Sequence, residues 1–332
     1  MPSYILNMGG TAGSTAKNTV DVFKVTGSSV KVVTGHSLTL SQGRRNLASA
    51  VCGEYILALG GYDGLHYYNN VDVFKATENG VEAVPDHGLS LSQARYSLAA
   101  AACGQYILAM GGYTADSVNT IDVFKVTENG VEHILDHGLT LSVKRSSAVA
   151  AASGEYILAM GGMGANYSNV VDLFRVTENG VEHITDHSLS LSVGRRYLAA
   201  AAAGNYILAM GGYNGTDHLN TVDVFKVTEN GVEKVTDHGL VLSVGRDYLA
   251  AASCGNYILA LGGRIGTTTF SDAVDVFKVT ENGVEKVTDH GLALSVGRGQ
   301  LTAAAAGNFI LGMGGWNGTY SYRTIDVFQV FN

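Results

Sequence analysis

The chain has 332 residues, of which 46% are hydrophobic and 15% are charged, and its formal net charge is −8. This composition supplies enough apolar material for a core and excludes a disordered chain. The negative charge argues against general binding to nucleic acid or to a membrane surface, and no apolar run approaches the ~20 residues of a membrane span. The first residues, MPSYILNMGG, lack a basic leader and already copy a repeat, so we expect no signal peptide.

A repeat of fixed period covers the whole sequence. Its clearest marker is a pair of glycines, and the successive spacings between the pairs are 51, 51, 50, 50, 51 and 52 residues. A period of this length is typical of solenoids and propellers. We therefore predict one repeat domain over residues 1–332. The first glycines of the pairs are Gly9, Gly60, Gly111, Gly161, Gly211, Gly262 and Gly314.

Each repeat contains four short apolar segments in chain order. The first, such as residues 106–112 (YILAMGG), is a continuous apolar run that predicts a strand buried on both faces. The second, such as residues 220–227 (NTVDVFKV), and the third, such as residues 231–238 (GVEKVTDH), flank an Asn-Gly pair and predict a hairpin with a type I′ turn.

The fourth segment is rich in alanine, as in residues 197–203 (YLAAAAA). Propensity alone favours a helix here. The run is nevertheless short, and a glycine turn joins it directly to the next strand. We therefore predict an innermost strand, because only small side chains fit where sheets crowd around an axis.

Four antiparallel strands per repeat, arranged radially, predict an all-β fold, the β-propeller. The sequence contains seven strands of the first and second kinds but six of the third and fourth. We favour seven four-stranded blades in which the first lacks its inner strand and the last lacks its outer strand. Six blades with two extra terminal strands are the alternative.

The repeat resembles the Kelch family. The resemblance rests on a glycine pair, an aromatic residue, [Asp/Asn]-Gly, an Asn-x-Val-Asp-Val-Phe strand and a later arginine, as in Tyr213, Asn214, Gly215, Asn220 and Arg246. It extends over the whole chain and implies a propeller that binds protein ligands. The family's outer-strand tryptophan is replaced by Val235, Val287 or Ile134, and the sole tryptophan, Trp316, follows a glycine pair instead.

The repeated cysteines and histidines have structural interpretations. Cys52, Cys103 and Cys254 share a position that also accepts serine or alanine, which predicts a buried small residue and favours a reducing, cytoplasmic location. One histidine per blade forms a ring too wide for a shared metal ion, so we expect loop hydrogen bonds. These histidines are His36, His87, His137, His187, His238 and His290.

The copies diverge on one face only, in the stretch after the glycine pair and in the residues after the repeated arginine. Tyrosine, tryptophan and arginine are common there, and these types are enriched at recognition hot spots. The repeated arginines would ring the channel mouth, where guanidinium groups suit carboxylates. Alternatively, each arginine pairs with the aspartate of the repeated Asp-His (Asp86, Asp136, Asp186, Asp237, Asp289) or with loop carbonyls. The predicted ligand-binding residues are Arg44, Arg95, Arg145, Arg195, Arg246, Arg298, Tyr62, Tyr113, Tyr213, Trp316, Arg196, Tyr197 and Tyr248.

Three functional hypotheses follow from these patterns. The first is a non-enzymatic module that binds an acidic peptide or protein segment at the mouth, without a metal or cofactor. The sequence contains neither a phosphate-binding loop in the required context nor a nucleophile elbow, which favours this hypothesis over an enzyme. The others are a propeller that binds or cleaves glycans, with Asp247 and Asp217 as the candidate carboxylates, and a scaffold whose unmatched terminal strands pair with another chain.

Overall fold

The computed structural model describes residues 3–331, which form seven antiparallel sheets arranged as the blades of a β-propeller. Five sheets have four strands, whereas blade 1 lacks the inner strand and blade 7 lacks the outer strand, so the predicted seven-bladed arrangement is confirmed. None of the described residues forms a helix, and nothing in this part of the chain could cross a bilayer as an apolar helix.

The alanine-rich segments form the innermost strands, as predicted. Along these strands buried residues alternate with partly exposed ones, and alanines such as Ala100, Ala150 and Ala200 line the central channel. Small side chains are required because the strands of neighbouring blades converge there. The inner strands of blades 2–7 are β6 (Ala48–Cys52), β10 (Ala99–Cys103), β14 (Val149–Ser153), β18 (Ala199–Ala203), β22 (Ala250–Cys254) and β26 (Thr302–Ala306).

In blades 2–7 the second strand is the most buried strand of the sheet. In β11, all five residues of Tyr-Ile-Leu-Ala-Met are buried, which fits a strand covered on both faces. The second strands of blades 1–7 are β1 (Ser3–Met8), β7 (Tyr55–Leu59), β11 (Tyr106–Met110), β15 (Tyr156–Met160), β19 (Tyr206–Met210), β23 (Tyr257–Leu261) and β27 (Phe309–Met313).

The third and fourth strands form the outer hairpins. The third strands are β4 (Val20–Thr26), β8 (Val71–Thr77), β12 (Ile121–Thr127), β16 (Val171–Thr177), β20 (Val222–Thr228), β24 (Val274–Thr280) and β28 (Ile325–Gln329). The fourth strands of blades 1–6 are β5 (Ser29–Val33), β9 (Gly80–Ala83), β13 (Gly130–Ile134), β17 (Gly180–Ile184), β21 (Gly231–Val235) and β25 (Gly283–Val287). A small hairpin of β2 (Thr11–Ala12) and β3 (Thr15–Ala16) projects from blade 1.

The hairpins are confirmed, but the predicted type I′ turn is wrong. Thr77 pairs with Gly80, so Glu78 and Asn79 are the central residues, and neither has a positive φ. A type I′ turn needs positive φ at both central positions. Here the glycine takes the positive φ of 154° where the outer strand begins, and the Thr77 hydroxyl donates to its carbonyl oxygen at 3.1 Å.

An apolar cluster fills each of the seven blade interfaces. Between blades 5 and 6, Leu208 and Met210 pack with Ile258 and Phe277, all fully buried. Burying a side chain such as Phe277 contributes about 1.5–3 kcal/mol. Blade 7 packs against blade 1 in the same way, and this closes the ring through a cluster that contains Ile5, Phe23, Phe309 and Leu311.

The cysteine position is buried, as predicted, and it also links neighbouring blades. The three cysteines are free thiols. Cys52 Sγ donates to the carbonyl oxygen of Gly104 in the next blade at 3.2 Å, and Ser153 Oγ donates to Gly204 at 3.0 Å. Burial raises the pKa of Cys52, which keeps the thiol protonated as the donor.

At the glycine pair, the loop between blades packs closely against the end of the second strand. At Gly60 the backbone has φ +61°, and a Cβ there would lie 2.4 Å from the carbonyl oxygen of Arg95. Glycine therefore serves two needs at this position, a left-handed backbone and close approach of another chain segment.

Candidate functional site

The six repeated arginines do not line the mouth; they lie inside the protein. Each has an exposed fraction of 0%, and they are among the largest fully buried side chains. The prediction that they contact a ligand is therefore wrong, because they have no free surface with which to do so. The six are Arg44, Arg95, Arg145, Arg195, Arg246 and Arg298.

Arg195 illustrates how such an arginine connects two blades. Its backbone is held by blade 4, where its N–H donates to Ser168 at 3.0 Å and its carbonyl oxygen accepts from Gly162 at 2.8 Å. Its side chain enters blade 5, where Nη2 donates to the Ala209 carbonyl at 3.1 Å and to Asp223 at 2.7 Å. The same pattern recurs at the other arginines, so each acts as a staple between consecutive blades.

The carboxylate partner is also different from the expected one. Every repeated arginine pairs with the aspartate of the Val-Asp or Ile-Asp strand of the blade it enters, and none pairs with the aspartate of Asp-His. A carboxylate on a central strand can reach the buried guanidinium, whereas Asp-His lies in the outer loop. The expected contact with a loop carbonyl is made by Nη1 of four of the six arginines, while Nη2 donates to a carbonyl on a strand. The partners are Asp72, Asp122, Asp172, Asp223, Asp275 and Asp326.

A basic side chain from the outer strand caps these aspartates in four blades, and in two of them it is a lysine. Lys234 and Lys286 lie 2.9 and 2.7 Å from Asp223 and Asp275. Burial by itself raises the pKa of Asp223, but Arg195 and Lys234 outweigh it and hold that pKa below its usual value. In blades 3 and 4 the capping residue is a histidine, and in blade 2 the equivalent residue is Ala83.

The mouth of the channel is ringed by six residues with a left-handed backbone. Each follows the repeated arginine by two positions, and each one after Asn46 donates its N–H to the carbonyl oxygen of the equivalent residue in the preceding blade. Four of the five links measure 2.8–2.9 Å and the fifth, from Tyr197 to Ser147, measures 3.4 Å. The chain of hydrogen bonds runs through Asn46, Ser97, Ser147, Tyr197, Tyr248 and Gln300, with φ between 52° and 56°.

The variable residues pair with one another through isolated antiparallel β-bridges beside this ring. These bridges form one short ladder in each of blades 2–7. In each ladder the residue after the arginine pairs with the residue after the glycine pair, and that residue pairs with a third in the same loop. The ladders are Arg45–Tyr62–Tyr67, Tyr96–Tyr113–Ser117, Ser146–Met163–Tyr167, Arg196–Tyr213–His218, Asp247–Arg264–Phe270 and Gly299–Trp316–Ser321. Residues far apart in sequence thus form one continuous variable surface.

Four tyrosines form a cluster on blades 2 and 3. Tyr96 stacks on Tyr62 and on Tyr67 with ring centroids 5.2 and 5.3 Å apart, and Tyr113 meets Tyr96 edge-on at 5.5 Å. Arg45 lies over the Tyr62 ring at 5.4 Å. Burial raises the pKa of Tyr96, so its hydroxyl remains a hydrogen-bond donor at neutral pH.

A second aromatic group lies across the mouth. The rings of Tyr197 and Tyr248 stack with centroids 3.9 Å apart. Arg196 lies over Tyr197 at 4.6 Å and over Tyr167 at 5.4 Å, while its Nε is buried without a hydrogen-bond partner among residues 3–331. Burial, together with the neighbouring Tyr197, raises the pKa of Tyr248.

Asp247 is fixed within the same region. It is fully buried, and Arg264 donates to both of its oxygens, from Nε at 3.0 Å and from Nη2 at 2.7 Å. His218 Nδ1 lies 3.3 Å from Asp247. The carboxylate therefore serves to orient Arg264, which lies over Tyr248 at 5.1 Å.

The seven other predicted residues do lie at the mouth. Tyr62, Tyr113, Arg196, Tyr197, Tyr213 and Tyr248 are half-buried, and Trp316 is 38% exposed. The same surface also carries five residues outside the predicted ligand-binding set, namely Tyr67, Tyr96, Tyr167, Phe270 and Arg264. A signal for these existed, because all occupy the two stretches in which the repeat copies differ.

The repeated histidines make the loop hydrogen bonds that we expected. In each case the backbone N–H two residues later donates to the histidine Nδ1, as from Leu89 to His87 at 3.0 Å. Burial lowers the pKa of His87, His137, His187 and His238, which favours the neutral ring that can accept this bond.

Comparison with known proteins identifies the repeat and the fold. Residues 194–237 match the family model described as Kelch motif. A solved structure described as "Structure of YjhT" superposes with a TM-score of 0.62 at 10% identity, covering 86% of this chain and 95% of that chain, so this likeness shows the fold alone. No curated protein matches the chain significantly.

Proposed function

We propose that this Kelch-motif β-propeller is a non-enzymatic protein-interaction module that binds an extended acidic segment of a partner at its variable mouth. Kelch propellers are commonly protein-interaction modules. The proposal for this chain rests on one observation: every ladder at the mouth carries different side chains, while the stapling arginines beneath are constant.

The aromatic groups supply the apolar contact area. Large rigid rings lose little conformational entropy on binding, which is why tyrosine and tryptophan dominate interface hot spots. Tyr67 is 37% exposed and Trp316 38% exposed, and both are braced by neighbouring rings. The mouth therefore presents preformed apolar faces that a ligand covers without reorganising them.

The preference for acidic ligands rests on Arg196 and Arg45. Arg196 is held between Tyr167 and Tyr197, which fixes the plane of its guanidinium group. A fixed guanidinium can donate two parallel hydrogen bonds to a carboxylate. Arg264 contributes less positive charge, since Asp247 already neutralises it.

The test is a titration of acidic peptides, each paired with a counterpart in which Asn and Gln replace Asp and Glu. We expect the acidic member of a pair to bind, and we expect Arg196→Ala to weaken that binding about tenfold or more while lowering the thermal midpoint only slightly, because only its two ring contacts are lost. The matched control is Arg175→Ala, which removes an exposed arginine on the third strand of blade 4. Equal binding of the acidic and neutral peptides would contradict the proposal, and binding of sugars alone would favour the glycan hypothesis.

A further inference from the structure

Within residues 3–331, the seam between blade 7 and blade 1 is closed by apolar packing, without the loop found at the other six blade interfaces. Elsewhere an outer strand leads through a Leu-Ser-x-x-Arg loop into the inner strand of the next blade. Within residues 3–331 no such segment spans this seam. The groups that the loop would contact are nevertheless present on both sides.

On blade 7 the open groups belong to the backbone of the mouth loop. In blade 5 the equivalent groups are satisfied, since Gly212 N–H donates to the Arg246 carbonyl at 2.9 Å and Arg246 N–H donates to Leu219 at 3.0 Å. On blade 7 the corresponding N–H of Gly315 and carbonyl of Tyr322 make no such bond within residues 3–331. Blade 7 thus offers the Gly315 N–H as a donor and the Tyr322 carbonyl as an acceptor, in the positions that bond to the arginine backbone in the other blades.

On blade 1 the open groups are those that receive an arginine side chain. In blade 5, Arg195 donates to Asp223 and to the carbonyl of Ala209. The equivalent residues in blade 1 are Asp21 and Asn7, which pair in the strand register. Asp21 is exposed, and among residues 3–331 its carboxylate receives only the Asn7 side-chain amide, at 3.3 Å.

The space that the loop would fill is also open. A Cβ on Gly61 would lie 3.0 Å from the side chain of the preceding arginine, whereas a Cβ on Gly10 would meet nothing within 4 Å. A Cβ on Gly262 would lie 2.5 Å from the carbonyl of the following arginine, whereas at Gly314 the nearest atom is 3.7 Å away. One glycine of each pair that flanks the seam, Gly10 and Gly314, is therefore uncovered.

The strand edges and the hydrogen-bonded ring show the same gap. On the outer edge of blade 7, Val327 is 48% exposed, whereas its equivalent in blade 6, Val276, is 5% exposed beneath an outer strand. The ring at the mouth ends at the N–H of Asn46 and at the carbonyl of Gln300, one on each side of the seam.

We propose that this seam binds an extended peptide segment that has the chemistry of the repeat itself. Such a segment adds one strand to the outer edge of β28 and a strand of small residues to the channel-side edge of β1. Between these strands, its arginine donates to the Asp21 carboxylate and to the Asn7 carbonyl. Addition of a strand to a free edge is a common mode of peptide recognition. The six Leu-Ser-x-x-Arg segments of this chain cannot serve, because their own arginines are fully buried in their own blades.

The test uses a synthetic peptide of residues 180–203, which contains an outer strand, Arg195 and an inner strand. We expect one labelled peptide to bind per chain, measured by fluorescence anisotropy. A peptide carrying Arg195→Gln should bind about tenfold or more weakly, and so should the native peptide to an Asp21→Asn protein. Because Asp21 is exposed, Asp21→Asn should leave the thermal midpoint of the free protein unchanged.

Three results would overturn the proposal. The first is that the native peptide fails to bind, and the second is that the Arg195→Gln peptide binds equally well. The third is sedimentation evidence for a dimer that excludes the peptide, which would assign the seam to a second copy of this chain. Binding at the mouth is tested independently, since Arg196→Ala should leave the seam peptide's affinity unchanged.

Discussion

Two adjacent arginines have opposite roles in this protein. Arg195 is fully buried and joins two blades, while Arg196 lies on the mouth between tyrosine rings. The sequence shows that the first is repeated and the second is not. A repeated residue satisfies a need that recurs in every blade, and here that need is structural, because the same aspartate and carbonyl recur in every blade from 2 to 7.

Residue types alone could not locate the six arginines correctly. Guanidinium groups are seldom fully buried without a partner, and the partner is a strand aspartate about half a repeat away in sequence. The histidine loops and the small buried cysteine position were predictable, because each depends on local chain geometry. The seven mouth residues were predictable because they vary while their surroundings do not.

The glycine pair gives a prediction at the scale of single residues. Gly61 and Gly10 both have positive φ, at 119° and 96°, so alanine strains the backbone at either position. Only at Gly61 would the new methyl group also press on a buried arginine. We expect Gly61→Ala to lower the free energy of unfolding by about 1–3 kcal/mol more than Gly10→Ala does, as measured by urea denaturation. Equal losses would show that the arginine does not confine this glycine.

At the scale of elements, the alanine-rich strands illustrate how position overrides propensity. Ala199–Ala203 is a strand because its partner Tyr206–Met210 follows after a tight glycine turn and because the channel admits only small side chains. The hairpins were predictable from Asn-Gly, but the turn type was not. The register sets Thr77 opposite Gly80, which shifts the glycine out of the central pair of the turn.

The outer strand of blade 2 gives a prediction at this scale. Ala83 lies opposite Phe74, in the register where Lys234 lies opposite Phe225 and caps a buried aspartate. Ala83→Lys would supply the missing cation to Asp72, whose side chain is 14% exposed. We expect the free energy of unfolding to rise by up to about 1 kcal/mol.

Ala83→Met is the control for that substitution, because it adds a similar length of side chain without a charge. Both variants should be compared in urea at low and at high salt. Ala83→Lys should raise the free energy of unfolding by an amount that Ala83→Met does not reproduce. An equal gain for methionine would attribute the effect to apolar packing.

For the whole molecule, the number of blades and the two incomplete blades could be predicted by counting strands. The manner of ring closure could not be, because counting does not show which faces pack together. Ile5 and Phe23 meet Phe309 and Leu311 across the seam, so apolar packing closes the ring where residues 3–331 supply no hydrogen-bonding loop.

The stability of the whole ring should depend on pH through the histidines. Burial lowers the pKa of His87, His137, His187 and His238 from the ordinary 6.5. As the pH falls below about 6.5, the unfolded chain binds protons that the folded chain resists, so the free energy of unfolding falls. We expect a lower urea midpoint at about pH 5.5 than at about pH 7.5.

The control for this effect replaces the four histidines with asparagine. The side-chain oxygen of asparagine can still accept the backbone N–H but does not titrate in this range. The difference between the two midpoints should shrink in that variant. An unchanged difference would trace the pH dependence to other groups.

The central claim is that the repeated arginines hold the blades together while the variable residues above them bind ligand. The most direct test compares the free energy of unfolding of Arg195→Ala with that of Arg196→Ala. Loss of one partner of a buried ion pair typically costs about 3–5 kcal/mol, whereas Arg196 is half-buried and its replacement removes two ring contacts worth about 0.5–1 kcal/mol each. We predict that Arg195→Ala lowers the free energy of unfolding clearly more than Arg196→Ala does, although the two residues are neighbours in sequence. Equal losses, or a larger loss for Arg196→Ala, would contradict the account.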